Sequence, residues 1–496
     1  MPTSSTISPK AAGRLNYHIQ TFGCQMNSSD SERVAAILEK SGYQKARSLE
    51  DTDLFIFNTC SIKQKGEDRV YGMIKNIASY KKANPRLLIG ITGCMVRQSS
   101  SRNSSAEKKD HLLQQLGPLD FVFRITDTHK LPEILAEAEP SLSLRDIDEV
   151  ALDDYLRVTP EYASKYQAFV PIQIGCDKYC TYCIVPYSRG REQSRPAADI
   201  LAECRELVAK GCKEITLVGQ TVNSYGLSAL DSVNFKSSEE RTTSKDGFTL
   251  PFTRLLQSID ELSAMGLDRL RFTSPHPRDF SDELIEAHAT LKTLCPYVHL
   301  PLQSGDNQIL ARMNRKYTVE QYREIIQKLR ARLPECVITT DLIVGFSGET
   351  DEQFDHTCEI FEEIRWDQAF ISRYSERVGT VAAKAFPDDV PAPVKAMRWH
   401  RLNSLLKKIS KAKNRLYEGR TLEVLVERHN TLTGEFEGRS REMKLVQFPA
   451  PIATSTSRIA LDASKSATSN PDLVGQILNV KIVKGLEWLL KGRIQG

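Results

Sequence analysis

Cys176, Cys180 and Cys183 stand in Ile-Gly-Cys176-Asp-Lys-Tyr-Cys180-Thr-Tyr182-Cys183, immediately after an apolar run that reads as a strand. Any fold of this chain must therefore gather three thiols at the end of that strand. Thiols at this spacing hold three corners of a four-iron cluster and leave the fourth iron open to a small molecule. Such a cluster suits binding of S-adenosylmethionine and transfer of one electron to it. A structural zinc site is the alternative, but zinc normally takes four protein ligands, and no partner His or Cys follows nearby.

The chain of 496 residues is long enough for about three domains. Its 40% hydrophobic and 26% charged residues describe an ordinary soluble protein. No uninterrupted apolar run long enough to span a membrane occurs, and the N-terminal residues lack the apolar core of a secretory signal. Eleven cysteines without an export signal point to a reducing, cytoplasmic setting and to metal chemistry rather than disulfides. A net charge of +4 says little until the charges are placed.

Residues 17–130 read as alternating strands and helices: strands at 17–22, 54–58 and 87–92, and a helix over 28–41 with Asn27 or Ser28 as its cap. One cysteine follows each strand: Cys24 in Gly23-Cys24-Gln-Met-Asn, Cys60 in Asn-Thr-Cys60-Ser and Cys94 in Thr-Gly93-Cys94-Met. In a parallel sheet the strand C-termini share one edge, so three cysteines at equivalent turns converge there. A second three-cysteine cluster is expected. The competing reading is three unrelated small core residues.

Residues 140–167, polar and acidic-leaning, look like a linker or a bridging helix. Strands are then expected at 168–174, 214–218, 269–273, 297–302, 337–344 and 367–374, with helices between most of them. Six such units suggest an open or partial (β/α) barrel, whose chemistry sits at the strand C-termini. Beyond about residue 417, short alternating strands suggest a small antiparallel β-barrel. Segments 227–248 and 453–470 read as insertions. The expected class is α/β, with domains over 15–140, 165–400 and 417–494.

Several barrel strand ends carry candidates for cofactor contact. Tyr182, inside the triplet, is placed to contact an adenine ring, or simply packs around the cluster. Gln220, Gln303 and Ser304 offer polar contacts, or satisfy backbone groups. Gly345 to Glu349, in Gly-Phe-Ser-Gly-Glu, allow close backbone approach to a ligand, or form a plain strand-to-helix turn. Arg189 and Arg191 suit phosphates of a nucleic acid beside the radical source, or belong to a solvated, salt-bridged loop. From Lys395 to Arg420 there are nine Lys/Arg and one acidic residue, Glu418, opposite an apolar face of Leu402, Leu405, Leu406, Ile409 and Leu416. Running into a small β-barrel, this helix suggests RNA binding. His276 and His299 receive no role, and Cys204, Cys212, Cys295, Cys336 and Cys358 are expected to pack as small apolar residues.

Together the motifs resemble the MiaB-type methylthiotransferases, radical S-adenosylmethionine enzymes acting on tRNA, over nearly the whole chain. The matching runs include Thr21-Phe-Gly-Cys-Gln-Met-Asn27, Asn58-Thr-Cys-Ser-Ile62, Val185-Pro-Tyr-Ser-Arg-Gly-Arg191, His299-Leu-Pro-Leu-Gln-Ser-Gly305 and Met313-Asn-Arg-Lys-Tyr-Thr318. Gly438-Arg-Ser440 and Val446-Gln-Phe448 match a C-terminal TRAM domain more loosely. The resemblance implies two [4Fe-4S] clusters, an auxiliary one on Cys24, Cys60 and Cys94 and a radical-forming one on Cys176, Cys180 and Cys183. It implies that one S-adenosylmethionine methylates a cluster-associated sulfur and a second yields a 5′-deoxyadenosyl radical. The methylthio group then goes to C2 of an isopentenylated adenosine beside the anticodon. A flavodoxin or ferredoxin as electron donor, no membrane and a monomeric chain are expected. Ser347 replaces a proline usual in the family, and Tyr374 to Ala383 lack prolines often found there. Related enzymes act on threonylcarbamoyl-adenosine in tRNA or on a ribosomal-protein aspartate; Gln25-Met26-Asn27 favours the isopentenyl group. A non-catalytic iron–sulfur RNA-binding protein is the more distant alternative.

Overall fold

In the computed structural model, residues 15–61, 64–103, 110–139, 156, 158, 160, 162–227, 248–450 and 473–495 are described. Residues 140–155 of the expected linker, 228–247 of the first insertion and all of 453–470 lie outside the described residues. The chain forms two compact units: Met1–Ala163 with Ile174–Asp177 and Cys183–Gln193, and Ser164–Gln173 with Lys178–Tyr182 and Ser194–Gly496.

The first unit is built on strands β1 (Asn16–Thr21), β2 (Gln44–Lys45), β3 (Leu54–Thr59), β4 (Leu88–Gly93), β5 (Ser100–Ser101) and β6 (Phe121–Val122). Their order is β2-β1-β3-β4-β6-β5, parallel except for β5 against β6. β3 and β4 are buried along their whole length, as central parallel strands covered on both faces must be. Val70, Ile74 and Ile77, at helical spacing on Gln64–Ala83, cover Phe55, Phe57, Ile89 and Ile91.

One local expectation is corrected. The first helix runs over Gln25–Lys40, and Cys24, not Asn27 or Ser28, takes the N-cap position without a side-chain cap bond. Asn27 lies inside the first turn because its amide is engaged with the neighbouring strands instead.

β7 (Gln167–Pro171), in the second unit, precedes two short strands at the division between the units, β8 (Gln173–Ile174) and β9 (Gln193–Ser194), which bound the cysteine loop in sequence. The remaining barrel strands are β10 (Glu214–Val218), β11 (Arg269–Phe272), β12 (Tyr297–His299), β13 (Val337–Val344) and β14 (Gln368–Arg373). They form two parallel sheets, β7-β10-β11 and β12-β13-β14, linked by a parallel bridge between Leu270 and Leu294. Sequential parallel order with helices between is the open (β/α) barrel expected. The strand expected at 297–302 stops at His299, because Pro301 cannot donate to the ladder. Helices enter with clear start signals: Thr318 with Gln321 and Thr350 with Gln353 form capping boxes, and Ser281 accepts from Leu284 N.

The helix Ala392–Arg415 leads into β15 (Thr421–Asn430), β16 (Glu435–Ser440), β17 (Leu445–Pro449), β18 (Ile477–Gly485) and β19 (Leu490–Ile494). These close into a barrel in the order β15-β16-β17-β19-β18, with Val424, Phe436, Val446, Phe448 and Val480 inside. It is anchored to β11. Arg269 donates to the carbonyls of Arg439 and Glu423 at 2.8 and 2.9 Å, and Arg271 to those of Arg441 and Ser440 at 2.8 and 2.9 Å. Glu214 lies between the two guanidiniums, and their charge holds its carboxyl low against the opposing effect of burial.

Candidate active site and cysteine loops

The three isolated cysteines follow strand ends that are in register. Thr21 pairs with Asn58, and Thr59 with Gly93, so Cys60 and Cys94 leave adjacent strands at one level. Gly23 has φ +116°, and a Cβ there would stand 2.6 Å from Cys60 Cβ and 3.1 Å from its Sγ. Asn27 ties the turns together. Its amide nitrogen donates to Phe22 O at 2.9 Å and Thr59 O at 2.8 Å, while its oxygen accepts from Cys24 Sγ at 3.6 Å. Burial and the nearby Cys94 raise the Cys24 thiol. Three thiols at neighbouring strand ends of one sheet are a donor set that fits an iron–sulfur cluster. Among the described residues no three His, Cys, Asp or Glu close around a single metal ion, which a cluster several ångström across does not require.

The triplet sits in a loop held at several points. Gly175, at φ +80°, passes so close to the Arg191 carbonyl that a Cβ would collide with it, and Cys176 N donates to Gly190 O at 3.2 Å. Further along, Asn314 Nδ2 donates to Tyr179 O at 2.9 Å, Thr181 N to Met313 O at 3.1 Å and Thr181 Oγ1 to Arg312 O at 2.9 Å. Cys176 is buried; Cys180 and Cys183 are half-buried. All five cysteines outside the two sets are buried.

Of the other candidates, Tyr182 is half-buried with its ring edge-on to Phe346, centroids 6.4 Å apart. Gln220 leaves its buried Oε1 without a hydrogen-bond partner, as does Gln173 at the start of β8. Gln303 takes φ +78°, while its backbone continues the register of β13 by bonding Asp341 O and Ile343 N. Ser304 is fully buried and accepts from Asp306 N at 3.3 Å. Gly345, at φ +70°, lies against the Lys395 side chain, and its N–H donates to Glu349 Oε2 at 2.6 Å. Glu349 is in turn paired with Arg398 at 2.7 Å, and burial raises its carboxyl. Glu349 thus braces the glycine turn. The unpaired Gln220 oxygen and the glycine turn, at the strand ends of one barrel, fit a polar small molecule such as S-adenosylmethionine.

Sequence reasoning passed over His276. It is buried at the end of β11, its backbone doubly bonded to the Asn223 amide, and its Nδ1 accepts from Arg278 N at 3.3 Å. Burial, then Arg315, Lys178 and Arg278, lower its pKa strongly, so the ring is neutral with its hydrogen on Nε2, and that atom has no partner. The signal available was its place in Ser-Pro-His276-Pro directly after a barrel strand.

The basic residues divide differently from expectation. Arg189 is buried against Asp30 at 2.5 Å, an ion pair in the first unit's interior. Arg191 is exposed and paired with Asp177 at 2.7 and 3.0 Å. On Ala392–Arg415, Lys395 pairs with Asp388, Arg398 with Glu349 and Asp351, Arg401 with Asp355, and Lys413 with Asp367. Lys407, Lys408, Lys411 and Arg415 are exposed. Leu416, expected on the apolar face, is 73% exposed because it lies beyond the last helical turn.

Residues 170–361 match the Radical SAM superfamily, residues 16–114 the Uncharacterized protein family UPF0004, and residues 415–494 the TRAM domain. The barrel and its cysteine loop thus define a radical SAM enzyme with an N-terminal α/β unit and a C-terminal TRAM barrel. The tRNA-2-methylthio-N(6)-dimethylallyladenosine synthase of Thermoanaerobacter sp. (strain X514) is 40% identical over 97% of this chain and 93% of its own length. That of Anoxybacillus flavithermus (strain DSM 21510 / WK1) is 40% identical over 96% and 82%. The chain belongs to the tRNA-2-methylthio-N(6)-dimethylallyladenosine synthase family. Among solved structures, the radical S-adenosylmethionine methyltransferase TsrM from Kitasatospora setae aligns over 75% of this chain and 77% of its own, at 14% identity and a TM-score of 0.49.

Proposed function

We infer that this protein transfers a methylthio group to C2 of N6-isopentenyladenosine at position 37 of tRNA. One observation carries the reading: two separate sets of three cysteines on one chain, each set at strand ends. Cys176, Cys180 and Cys183 would hold the radical-forming cluster, and Cys24, Cys60 and Cys94 the auxiliary one. When bound, the clusters and S-adenosylmethionine supply one-electron cleavage chemistry able to act at an aromatic C–H, and a sulfur to install there.

The chain's own part is positioning. Glu349, held by Arg398, fixes the Gly345 N–H and with it the shape of the glycine turn beside the site. The unpaired Gln220 oxygen offers an acceptor to an ammonium or hydroxyl. Tyr182, backed by Phe346, offers a ring face or edge to an adenine. Arg191, Lys407, Lys408, Lys411 and Arg415 offer exposed charge to tRNA phosphates. Among the described residues no helix is long and apolar enough to cross a membrane. A cytoplasmic monomer reduced by a flavodoxin or ferredoxin, with domains over 15–140, 165–400 and 417–494, completes the reading.

The test is mass spectrometry of tRNA nucleosides from a strain lacking the gene, with and without complementation. Isopentenyladenosine accumulating at the expense of its 2-methylthio form, and restored by the gene, is the expected result. An unchanged pattern would overturn the substrate and turn attention to threonylcarbamoyl-adenosine or a ribosomal aspartate. In purified protein, Cys180→Ala abolishes deoxyadenosine formation, whereas Cys60→Ala keeps part of it and loses methylthiolation.

A further inference from the structure

Arg315, on a loop distant in sequence, comes within hydrogen-bond distance of a triplet sulfur. Its Nη1 lies 3.2 Å from Cys180 Sγ. The rest of the guanidinium is held too: Nε donates to the Tyr317 hydroxyl at 2.9 Å and Nη2 to the Pro301 carbonyl at 3.3 Å. The residue is 5% exposed, and its Cζ lies 5.1 Å from the centre of the Tyr317 ring. No carboxylate pairs with it among the described residues, so its charge is directed at sulfur and aromatic groups.

The backbone is bent to deliver it. Asn314 and Lys316, on either side, have φ +59° and +57°, and Tyr179, just before Cys180, has φ +49°. Left-handed non-glycine residues are uncommon and persist where surrounding structure over-determines them, often at functional sites. Here the surrounding structure is visible. Asn314 bonds the carbonyl of Tyr179, while Thr181 bonds the carbonyls of Arg312 and Met313. These bonds hold the two loops together without using Arg315. Of the guanidinium, Nη1 faces the sulfur.

We propose that Arg315 is a positioning residue that raises the reduction potential of the iron–sulfur cluster on Cys176, Cys180 and Cys183 through its N–H···S contact with Cys180. The proposal rests on the reading that this triplet holds a cluster. Reduction adds one electron, supplied by an external one-electron reductant, and no proton; Arg315 stays protonated throughout. A buried cation and an N–H donor at a ligand sulfur favour the form with the extra negative charge, and hydrogen bonds to sulfur are an established lever on such potentials. Low local polarity makes the contact count for more than it would in water.

The experiment is a spectroscopically monitored reductive titration with dithionite, in full-length chain whose Cys24, Cys60 and Cys94 are alanine so that one cluster remains. Arg315→Met is expected to disfavour reduction on the order of tenfold, about 59 mV for one electron. Arg315→Lys keeps the charge but loses the planar fork, and is expected to fall between Met and Arg. Equal potentials in all three at equal iron content would overturn the proposal. Failure of both variants to retain iron would overturn it as well, since Arg315 would then be holding the loop and not tuning it. If the chain with Arg315 intact shows no titratable cluster, the cluster assignment itself has failed, which is a separate result.

Discussion

Arg189 and Asp30 meet at 2.5 Å with only 2% and 0% of their side chains exposed. The arginine that follows the cysteine triplet therefore closes an ion pair inside the first unit, on the helix that begins beside Cys24. Removing one partner of a buried pair leaves the other charge unpaired, at a cost of about 3–5 kcal/mol. Arg189→Ala is expected to destabilise the protein by that amount in denaturant unfolding. A loss of tRNA affinity with unchanged stability would instead make Arg189 a nucleic-acid contact.

Arg191 should behave in the opposite way. Its side chain is 75% exposed, so its bond to Asp177 contributes at most about 1 kcal/mol. Arg191→Ala is expected to leave unfolding nearly unchanged and to lower the slope of log affinity for tRNA against log salt by about one. An unaltered slope would mean that Asp177 keeps the guanidinium to itself.

Glu349 braces the Gly345 turn through a pair with Arg398 that is almost wholly buried. Arg398 also reaches the exposed Asp351 at 2.7 Å, so it keeps one partner if Glu349 is lost. Glu349→Ala is expected to cost about 3 kcal/mol, the lower part of the range for a broken buried pair, and to weaken S-adenosylmethionine binding in equilibrium dialysis. Wild-type stability with lost binding would identify Glu349 as a direct ligand contact.

Acid should destabilise the barrel through His288. Its ring packs against Phe272, centroids 5.2 Å apart, and burial lowers its pKa to about 4. The unfolded chain holds the ordinary value of about 6.5, so it binds the proton more readily than the folded chain does. Stability from the neutral ring is therefore complete above about pH 6.5 and is lost as pH falls from there towards 4. Buried His276 acts in the same direction. His288→Leu is expected to flatten the fall in unfolding free energy across this window, measured by urea unfolding at pH 7.5, 6 and 5. Parallel curves for the two chains would mean that the His288 ring takes up its proton without unfolding.

Much of this protein was legible before any coordinates. The alternation of strand and helix, and the cysteine that closes each strand, are local patterns: a strand-to-helix turn is set by the residues within it. Parallel topology then brings separate turns to one edge, which is why Cys24, Cys60 and Cys94 could be grouped at spacings of 36 and 34 positions. The barrel strands and the amphipathic helix before the TRAM domain were readable for the same reason. Where a proline interrupts, as at Pro301, the strand ended early.

What only the tertiary structure decided is which charges and polar atoms meet. Arg189 finds Asp30 across 159 positions, Arg398 finds Glu349 across 49, and Arg315 finds Cys180 across 135. The sequence showed a basic helix; the fold pairs Lys395, Arg398, Arg401 and Lys413 with carboxylates, Arg401 at the surface, and leaves Lys407, Lys408, Lys411 and Arg415 exposed. Periodicity can assign a side chain to a face. Whether that face holds a carboxylate, a sulfur or water depends on elements distant in sequence, and a charge's role follows from its partner and its burial.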